Sequence, residues 1–231
     1  MRARGWKLPA LGLALTMTVG LAGCSSTGEN NFLRLGALTK VSIFGADEVA
    51  VQPEPTRAQL NQIPSATIAL SLGGGPRTFL VPLADNGGYL NYLDSAGHGV
   101  VMLGGAVTGT QALGQDLQAV RHQQDDPIAY PAPLTEWPGQ ITRDYQFAQR
   151  GGAEFSITLL CVFEPLARET IEIFETDFDV VRISETCTNA RRQVVNTYWV
   201  EAGTGFIWKS EQWLGPYLEP ATIEIIRPYG G

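Results

Sequence analysis

The strongest constraint on the fold is a series of short segments in which apolar and polar residues alternate between glycine- and proline-rich turns. Segments 66–72 and 77–83 flank Gly73-Gly74-Gly75, and the same pattern recurs at 89–93, 99–103, 106–111, 140–148, 153–163, 169–174, 178–185, 193–200, 206–213 and 222–227. Alternation with a period of two indicates strands with one buried face. Many short strands joined by such turns are typical of barrels and sandwiches. The sequence therefore predicts an all-β, antiparallel barrel- or sandwich-like domain.

Signals for helices are few. Residues 56–62 predict a short helix that begins at the capping residue Thr56, and residues 116–124 predict a second one. The stretch 125–138 contains four prolines, which indicates a long loop. We expect residues 32–231 to form a single β-rich domain of two lobes, divided near 125–138, with a few short helices.

The N-terminus has the layout of a secretory signal peptide. Three basic residues within the first seven precede an apolar stretch at 8–19, and Leu21-Ala22-Gly23-Cys24 follows. The apolar stretch is well short of the roughly 20 residues that span a bilayer as a helix. The four residues that end at Cys24 resemble the lipobox of bacterial lipoproteins. That resemblance implies removal of residues 1–23 and acylation of Cys24 with fatty acids such as palmitate. A soluble secreted protein with an incidental Cys24 is the alternative.

The residues after Cys24 indicate where the protein is anchored. Ser25 stands where lipoproteins retained in the inner membrane typically have aspartate, and the resemblance to that sorting rule implies the outer membrane. Residues 24–31 are mainly small and polar, as in a flexible tether. We therefore expect a body that faces the periplasm and is held to the membrane by two or more acyl chains.

Charge argues against two classes of partner. The leader carries three of the 16 basic residues and none of the 23 acidic ones, so its removal changes the formal net charge from −7 to −10. Nucleic-acid binding needs basic patches that neutralise phosphates, so no nucleic-acid partner is expected. An acidic surface is not attracted to anionic lipids either, which leaves the acyl chains as the membrane contact.

Two cysteines remain in addition to Cys24. An oxidising periplasm permits a disulfide between Cys161 and Cys187, and alternation places both side chains on inward faces. If the intervening segments form a simple meander, the two strands are next-but-one neighbours, roughly 9–10 Å apart. A disulfide needs Cα atoms within about 7 Å. The bond thus requires direct pairing of the two strands or facing across a closed core, and two buried free thiols are the alternative.

The sequence shows no recognisable catalytic or metal site. His98 and His122 have no partner at metal-ligand spacing, and surface positions are expected for both. Cys-x-x-Cys, Gly-x-Ser-x-Gly, P-loop and dinucleotide motifs are missing from the sequence. Glu172, Glu175 and Asp177 fit a solvated hairpin better than a desolvated acid–base pair. We predict no catalytic residue, no metal and no cofactor.

Tryptophans dominate the C-terminal hairpin. Alternation pairs Trp208 with Ser210 and Gln212, a polar set, and gives Trp213 the opposite phase. We therefore predict that Trp208 faces outward and Trp213 inward. Aromatic side chains of this kind can bury about 150–250 Å² each, so a core position is the default for tryptophans here. The alternative is an aromatic platform for sugar rings or a protein partner, for which the candidate contact residues are Trp208, Lys209, Gln212 and Asn196.

Two stretches carry a resemblance to a known family. The C-terminal run Asn196-Thr197-Tyr198-Trp199-Val200-Glu201, continuing through 205–213 to Pro216 and 223–228, is similar to the ending of the YjbF/GfcB lipoproteins. Residues 104–117 are similar to a second family segment, which runs from a glycine-started strand into a turn. The chain departs from the pattern at Tyr92, where tryptophan is expected, and at Glu201, where aspartate is expected.

The resemblance implies a role in exopolysaccharide or group 4 capsule production and no catalytic activity. We expect a non-enzymatic outer-membrane lipoprotein that assists polysaccharide secretion or assembly through other secretion proteins. A polysaccharide-binding module that uses exposed tryptophans is the alternative. A polysaccharide-processing enzyme with paired carboxylates is a third hypothesis.

Overall fold

Antiparallel strands dominate residues 54–148 and 154–230, the two ranges that the computed structural model describes. Their bounds are β1 Thr67–Leu72, β2 Thr78–Asn86, β3 Tyr89–Leu93, β4 Gly99–Leu103, β5 Ala106–Gln111, β6 Leu117–Arg121, β7 Gln140–Ala148, β8 Glu154–Glu172, β9 Asp177–Asn189, β10 Arg192–Val200, β11 Ile207–Gln212 and β12 Ala221–Arg227. The predicted signal peptide, Cys24 and the tether at 24–31 lie outside the described residues.

All twelve strands belong to one sheet that nearly closes on itself. The order is β5-β4-β3-β2-β1-β12-β11-β10-β9-β8-β7-β6, with β1 pairing with β12. The two end strands, β5 and β6, are consecutive in the chain and approach each other. The backbone N–H of Leu117 donates to Thr110 Oγ1 at 2.9 Å. The predicted all-β, barrel-like antiparallel fold is confirmed.

One of the two predicted helices is present. Helix α1 spans Arg57–Leu60 and begins after a capping box, in which Thr56 and Gln59 each accept a hydrogen bond from the other's backbone N–H. A 3-10 helix covers Leu134–Glu136. The predicted helix at 116–124 is wrong, because β6 lies there. Asp116 accepts hydrogen bonds from the chain just before it and so closes the β5–β6 turn instead of capping a helix.

The long hairpin β8–β9 also differs from the prediction. Segments 153–163 and 169–174 were expected to be separate strands, but β8 runs through both, with a register shift between Pro165 and Ala167. The two cysteine-bearing strands are therefore direct neighbours, not next-but-one neighbours. Cys161 lies opposite Cys187, with 3.9 Å between the Cα atoms, and the two side chains form a disulfide.

Alternation along the strands fills the interior of the barrel. In β7, Ile141, Tyr145 and Phe147 are buried, while the residues between them on the other face are more exposed. The segment 125–138 adds to the interior, because Ile128 and Ala129 are fully or almost fully buried. Strands β6 and β7, on either side of this segment, pair directly with each other.

The tip of the β8–β9 hairpin folds back onto α1. Phe174 and Glu175 at this tip have left-handed backbone conformations, which cost free energy in residues other than glycine. Arg57 holds the tip by donating to the carbonyl oxygens of Ile173 at 2.5 Å and Phe174 at 2.8 Å. The guanidinium also donates to the carbonyl of Ile226 at 3.0 Å, so one side chain ties α1, the hairpin tip and β12 together.

Candidate functional site

The interior of the barrel contains a cluster of charged side chains centred on Arg143. Nε and Nη2 of this arginine donate to the two carboxylate oxygens of Asp126, at 2.7 and 2.8 Å. Its Nη1 lies 2.7 Å from Oε2 and 2.6 Å from Oε1 of Glu185. The three residues are at most 2 % exposed. One buried cation thus bridges two buried carboxylates that come from the loop after β6 and from β9.

Neutral donors complete the cluster around Glu185. Oε2 accepts hydrogen bonds from Asn196 Nδ2 at 2.7 Å and from the Tyr198 hydroxyl at 2.9 Å. Asn196 Oδ1 in turn accepts from the backbone N–H of Trp213 at 2.8 Å. Ion pairs that leave water are tolerated only when such additional hydrogen bonds satisfy the remaining lone pairs. The cluster therefore braces β7, β9 and β10 against one another.

The surroundings of the cluster keep Asp126 and Arg143 charged and Tyr198 neutral. Burial by itself raises the pKa of Asp126, but hydrogen bonds and charge from Arg143, and then from His122, outweigh it and hold that pKa well below its ordinary value. Burial likewise lowers the pKa of Arg143, and the charge of Glu185 reverses this effect, so the net shift is upward. Burial, followed by the charge of Glu185, raises the pKa of Tyr198. A permanently ionised Asp126 is unsuited to donating a proton to a substrate.

His122 belongs to this cluster, and the predicted surface position is wrong. Its imidazole is 2 % exposed, and Nδ1 lies 2.6 Å from Asp126 Oδ2. Nε2 is buried without a hydrogen-bond partner among the described residues. The surface position was predicted from a polar helix at 116–124. The chain instead turns inward at the end of β6, which ends at Arg121. His98 is also only partly exposed, with Nδ1 3.2 Å from Asp94 Oδ2.

The disulfide lies next to the charged cluster. Within the described ranges, one group of three potential metal ligands lies close together. It consists of Cys161, Cys187 and Glu185, whose ligand atoms all lie within 4.8 Å of one another. Zinc and similar metals bind thiolates, and the disulfide leaves neither cysteine available as one. Cys161 and Cys187 therefore form a covalent link between β8 and β9.

The structure does not bring the four candidate contact residues to one exposed face. Asn196 and Gln212 are buried, at 2 % and 6 % exposure. Gln212 donates to the carbonyl of Gly105 and to Ser210 Oγ, and accepts from the backbone N–H of Val107. The prediction that the polar Ser210–Gln212 face is outward is wrong, because this face points into the core. There Gln212 bonds to the backbone of Val107 and Gly105, about 105 residues away.

Trp208 and Trp213 are both half-buried. A register shift between β10 and β11 makes Trp208 an extra residue in β11, and its ring stacks on Phe178 with 4.0 Å between centroids. Trp213 packs edge-on against Tyr145 at 5.1 Å and Phe147 at 6.0 Å, both of them interior residues. Both rings therefore pack against the main core cluster.

Lys209 lies in a row of interacting side chains on the outer face of the sheet. Its ammonium group is 5.1 Å from the ring centroid of Trp199 and 3.4 Å from Glu224 Oε1. Arg77 Nε donates to the other oxygen of Glu224 at 2.7 Å. Trp199 Nε1 donates to Glu169 Oε1 at 2.7 Å. This row joins β8, β10, β11 and β12 on the outside, and leaves Lys209 only partly available to a partner.

Sequence reasoning missed the charged cluster, although the alternation contained a signal for it. Arg143 has the same phase in β7 as Ile141 and Tyr145, and Glu185 has the same phase in β9 as Cys187. A charged residue in the inward phase of a strand indicates a buried ion pair. Asp126 had no such signal, because it lies outside any strand.

No helix within the described residues is long and apolar enough to cross a membrane.

The fold is similar to that of a solved protein. A crystal structure of the hypothetical lipoprotein YmcC from Escherichia coli K12 superposes with a TM-score of 0.64 at 24% sequence identity. The match covers 76% of this chain and 90% of that one. The likeness supports the nearly closed antiparallel sheet.

Sequence comparison gives the family. The chain is 25% identical over 215 residues to the uncharacterized lipoprotein GfcB of Escherichia coli (strain K12), covering 90% of this chain and 94% of GfcB. Residues 37–226 match the family model YjbF, described as group 4 capsule polysaccharide lipoprotein GfcB, YjbF. That match spans most of the 231 residues and agrees with the two stretches of resemblance in the sequence. The chain belongs to the YjbF/GfcB family of group 4 capsule polysaccharide lipoproteins.

Proposed function

We propose that the protein is a non-enzymatic outer-membrane lipoprotein that faces the periplasm and assists the secretion or assembly of an exopolysaccharide or capsule. The family match over residues 37–226 carries this proposal, because the family description names a capsule polysaccharide lipoprotein. Cys24, which follows the leader, would carry the acyl anchor, and Ser25 would direct the protein to the outer membrane. Other proteins of the secretion apparatus and the polysaccharide itself are the proposed partners.

The charged cluster supports a role without catalysis. A glycosidase-like mechanism needs one carboxyl group that donates a proton and a second that attacks or activates water at the sugar. Asp126 and Glu185, the two carboxylates of the charged cluster, are both bound to Arg143, and neither is exposed. A polymer cannot reach them without opening the barrel, so their role is to hold the strands together.

The outer surface is therefore where partners would bind. Strands β8 and β10 expose Leu160, Val162 and Val195 at 42 to 55 %, and Val162 and Val195 both pair with Thr186 of the strand between them. Clustered exposed apolar side chains are typical of interaction surfaces. This area favours contact with another protein of the secretion machinery.

Deleting the gene and measuring secreted polysaccharide tests the proposal. The wild-type gene should restore secretion to the deletion strain, and Cys24→Ser should not. Ser25→Asp should redirect the protein to the inner membrane and lower secretion. Ser26→Asp, one position further along, is the matched control and should act like wild type. Unchanged secretion in the deletion strain would show that the proposed function is wrong.

A polysaccharide-binding module is the second candidate, favoured by the position of Trp208. Its half-buried ring is held by Phe178 and by Phe206, whose centroid is 4.7 Å away. Trp208→Ala should lower retention of the protein by the secreted polymer in affinity electrophoresis. Tyr217→Ala removes an aromatic side chain that is 54 % exposed elsewhere and serves as the control. A folded Trp208→Ala protein that binds the polymer and supports secretion normally would eliminate this candidate.

A further inference from the structure

A cavity of about 150 Å³ lies where β3 and β4 meet the start of β11 and the end of β12. Its lining is mostly apolar and includes Leu90, Met102, Phe206, Ile207 and Ile225. It is separate from the charged cluster, none of whose residues lines it. A closed apolar cavity of about this size, created by mutation in another protein, binds benzene, and the cavity here has a similar volume but opens to solvent on one side.

Glycine backbone forms part of the wall. Gly104 has φ +56°, and a Cβ atom there would lie 2.5 Å from the carbonyl oxygen of Ala129. A Cβ atom on Gly105 would lie 2.5 Å from Ile207 Cδ1. Larger residues at either position would push the loop or β11 away, so the shape of the cavity depends on these two glycines.

One polar group in the lining has spare hydrogen-bonding capacity. Tyr92 is 4 % exposed as a residue and lines the cavity, and its hydroxyl makes no hydrogen bond to any residue in 54–148 or 154–230. Burial, assisted by Tyr229 at the rim, raises the pKa of Tyr92 to about 12. The hydroxyl is protonated at physiological pH and is able to donate.

We propose that this cavity binds a small amphiphile, with a compact apolar body the size of one six-membered carbon ring and a single hydroxyl or carbonyl that bonds to Tyr92. The apolar body matches the lining and the volume, and the one polar group matches the hydroxyl of Tyr92. A free sugar is a poor fit. Most of its hydroxyls would enter an apolar space without partners, and each loses its hydrogen bonds to water.

Cyclohexanol, methylcyclohexane and glucose are three probes of similar size that test the ligand class. The protein for this test is the full mature chain, exported with an ordinary signal peptide and kept unacylated by Cys24→Ser. Isothermal titration should show one binding site for cyclohexanol, weaker binding of methylcyclohexane, which lacks the hydroxyl, and none of glucose. Failure of cyclohexanol to bind, or binding of glucose in competition with it, would overturn the proposal. Neither result depends on polysaccharide secretion, so the proposed function stands or falls separately.

Two substitutions at Tyr92 test the residue. Tyr92→Phe keeps the ring and should weaken cyclohexanol binding about 2- to 12-fold, the effect of one neutral hydrogen bond, without changing binding of methylcyclohexane. Tyr92→Trp places a larger ring in the space and should abolish binding of both. Tyr89→Phe on the same strand removes a hydroxyl outside the cavity and should change neither. Equal binding of cyclohexanol to wild type and Tyr92→Phe would show that Tyr92 does not contact the ligand.

Discussion

Replacing Arg143 with methionine should destabilise the barrel strongly. Methionine has a similar length and no charge, so the change leaves Asp126 and Glu185 buried without their cation. Removing one partner of a buried ion pair typically costs about 3–5 kcal/mol, because the remaining charge stays out of water without compensation. For a chain of about 200 residues, each kcal/mol lowers the melting temperature by roughly 2–4 °C. We therefore expect a fall of roughly 6–20 °C.

Thermal and urea unfolding of the unacylated mature chain, followed by circular dichroism, measures this effect. Arg182→Met is the matched control on β9, since Arg182 is 40 % exposed and its Nε lies 3.8 Å from Glu169. It should cost less than about 1 kcal/mol, as exposed ion pairs do. Adding Asp126→Asn and Glu185→Gln to Arg143→Met should recover part of the lost stability by removing the uncompensated charges. A loss below about 1 kcal/mol for Arg143→Met alone would refute the view that the cluster braces the barrel.

Further predictions concern the anchor, the disulfide, the tyrosines and the core. Cys24→Ser should abolish incorporation of a labelled fatty acid, and label retained in the variant would contradict the lipobox assignment. Cys161→Ala should cost roughly 2–4 kcal/mol in urea unfolding, and alkylation of both thiols in the native exported protein would rule the bond out. Burial raises the pKa of Tyr92 and of Tyr145 to about 12. Absorbance titration should therefore find tyrosines that ionise near pH 12 and not near pH 10. Because the unfolded chain releases these protons near pH 10, stability should fall between pH 10 and 12, and a flat profile there would contradict the burial. Trp213→Ala should cost roughly 3–5 kcal/mol through the cavity it leaves over the core, which a loss under about 1 kcal/mol in urea would disprove.

Local patterns were sufficient for most of the strands. The predicted ranges 89–93, 99–103, 106–111 and 140–148 coincide with β3, β4, β5 and β7, because alternation and turn residues are encoded within a few positions. The helix cap at Thr56 was equally local and is confirmed. Errors occurred where a short-range signal competed with a long-range one. Residues 116–124 are polar enough for a helix, but Leu117 and Val120 are needed in the core.

The sequence by itself determined the β-strand alternation, the turns, the inward phase of both cysteines and the resemblance to a lipoprotein family. Tertiary structure decided which inward polar residues meet. Arg143 joins Asp126 to Glu185 across 17 and 42 positions, and Gln212 bonds to Gly105 across 107. Alternation reports that a side chain points inward, but only closure of the sheet determines its partners. A polar residue in an inward phase therefore resembles a surface residue until the strand opposite it is known.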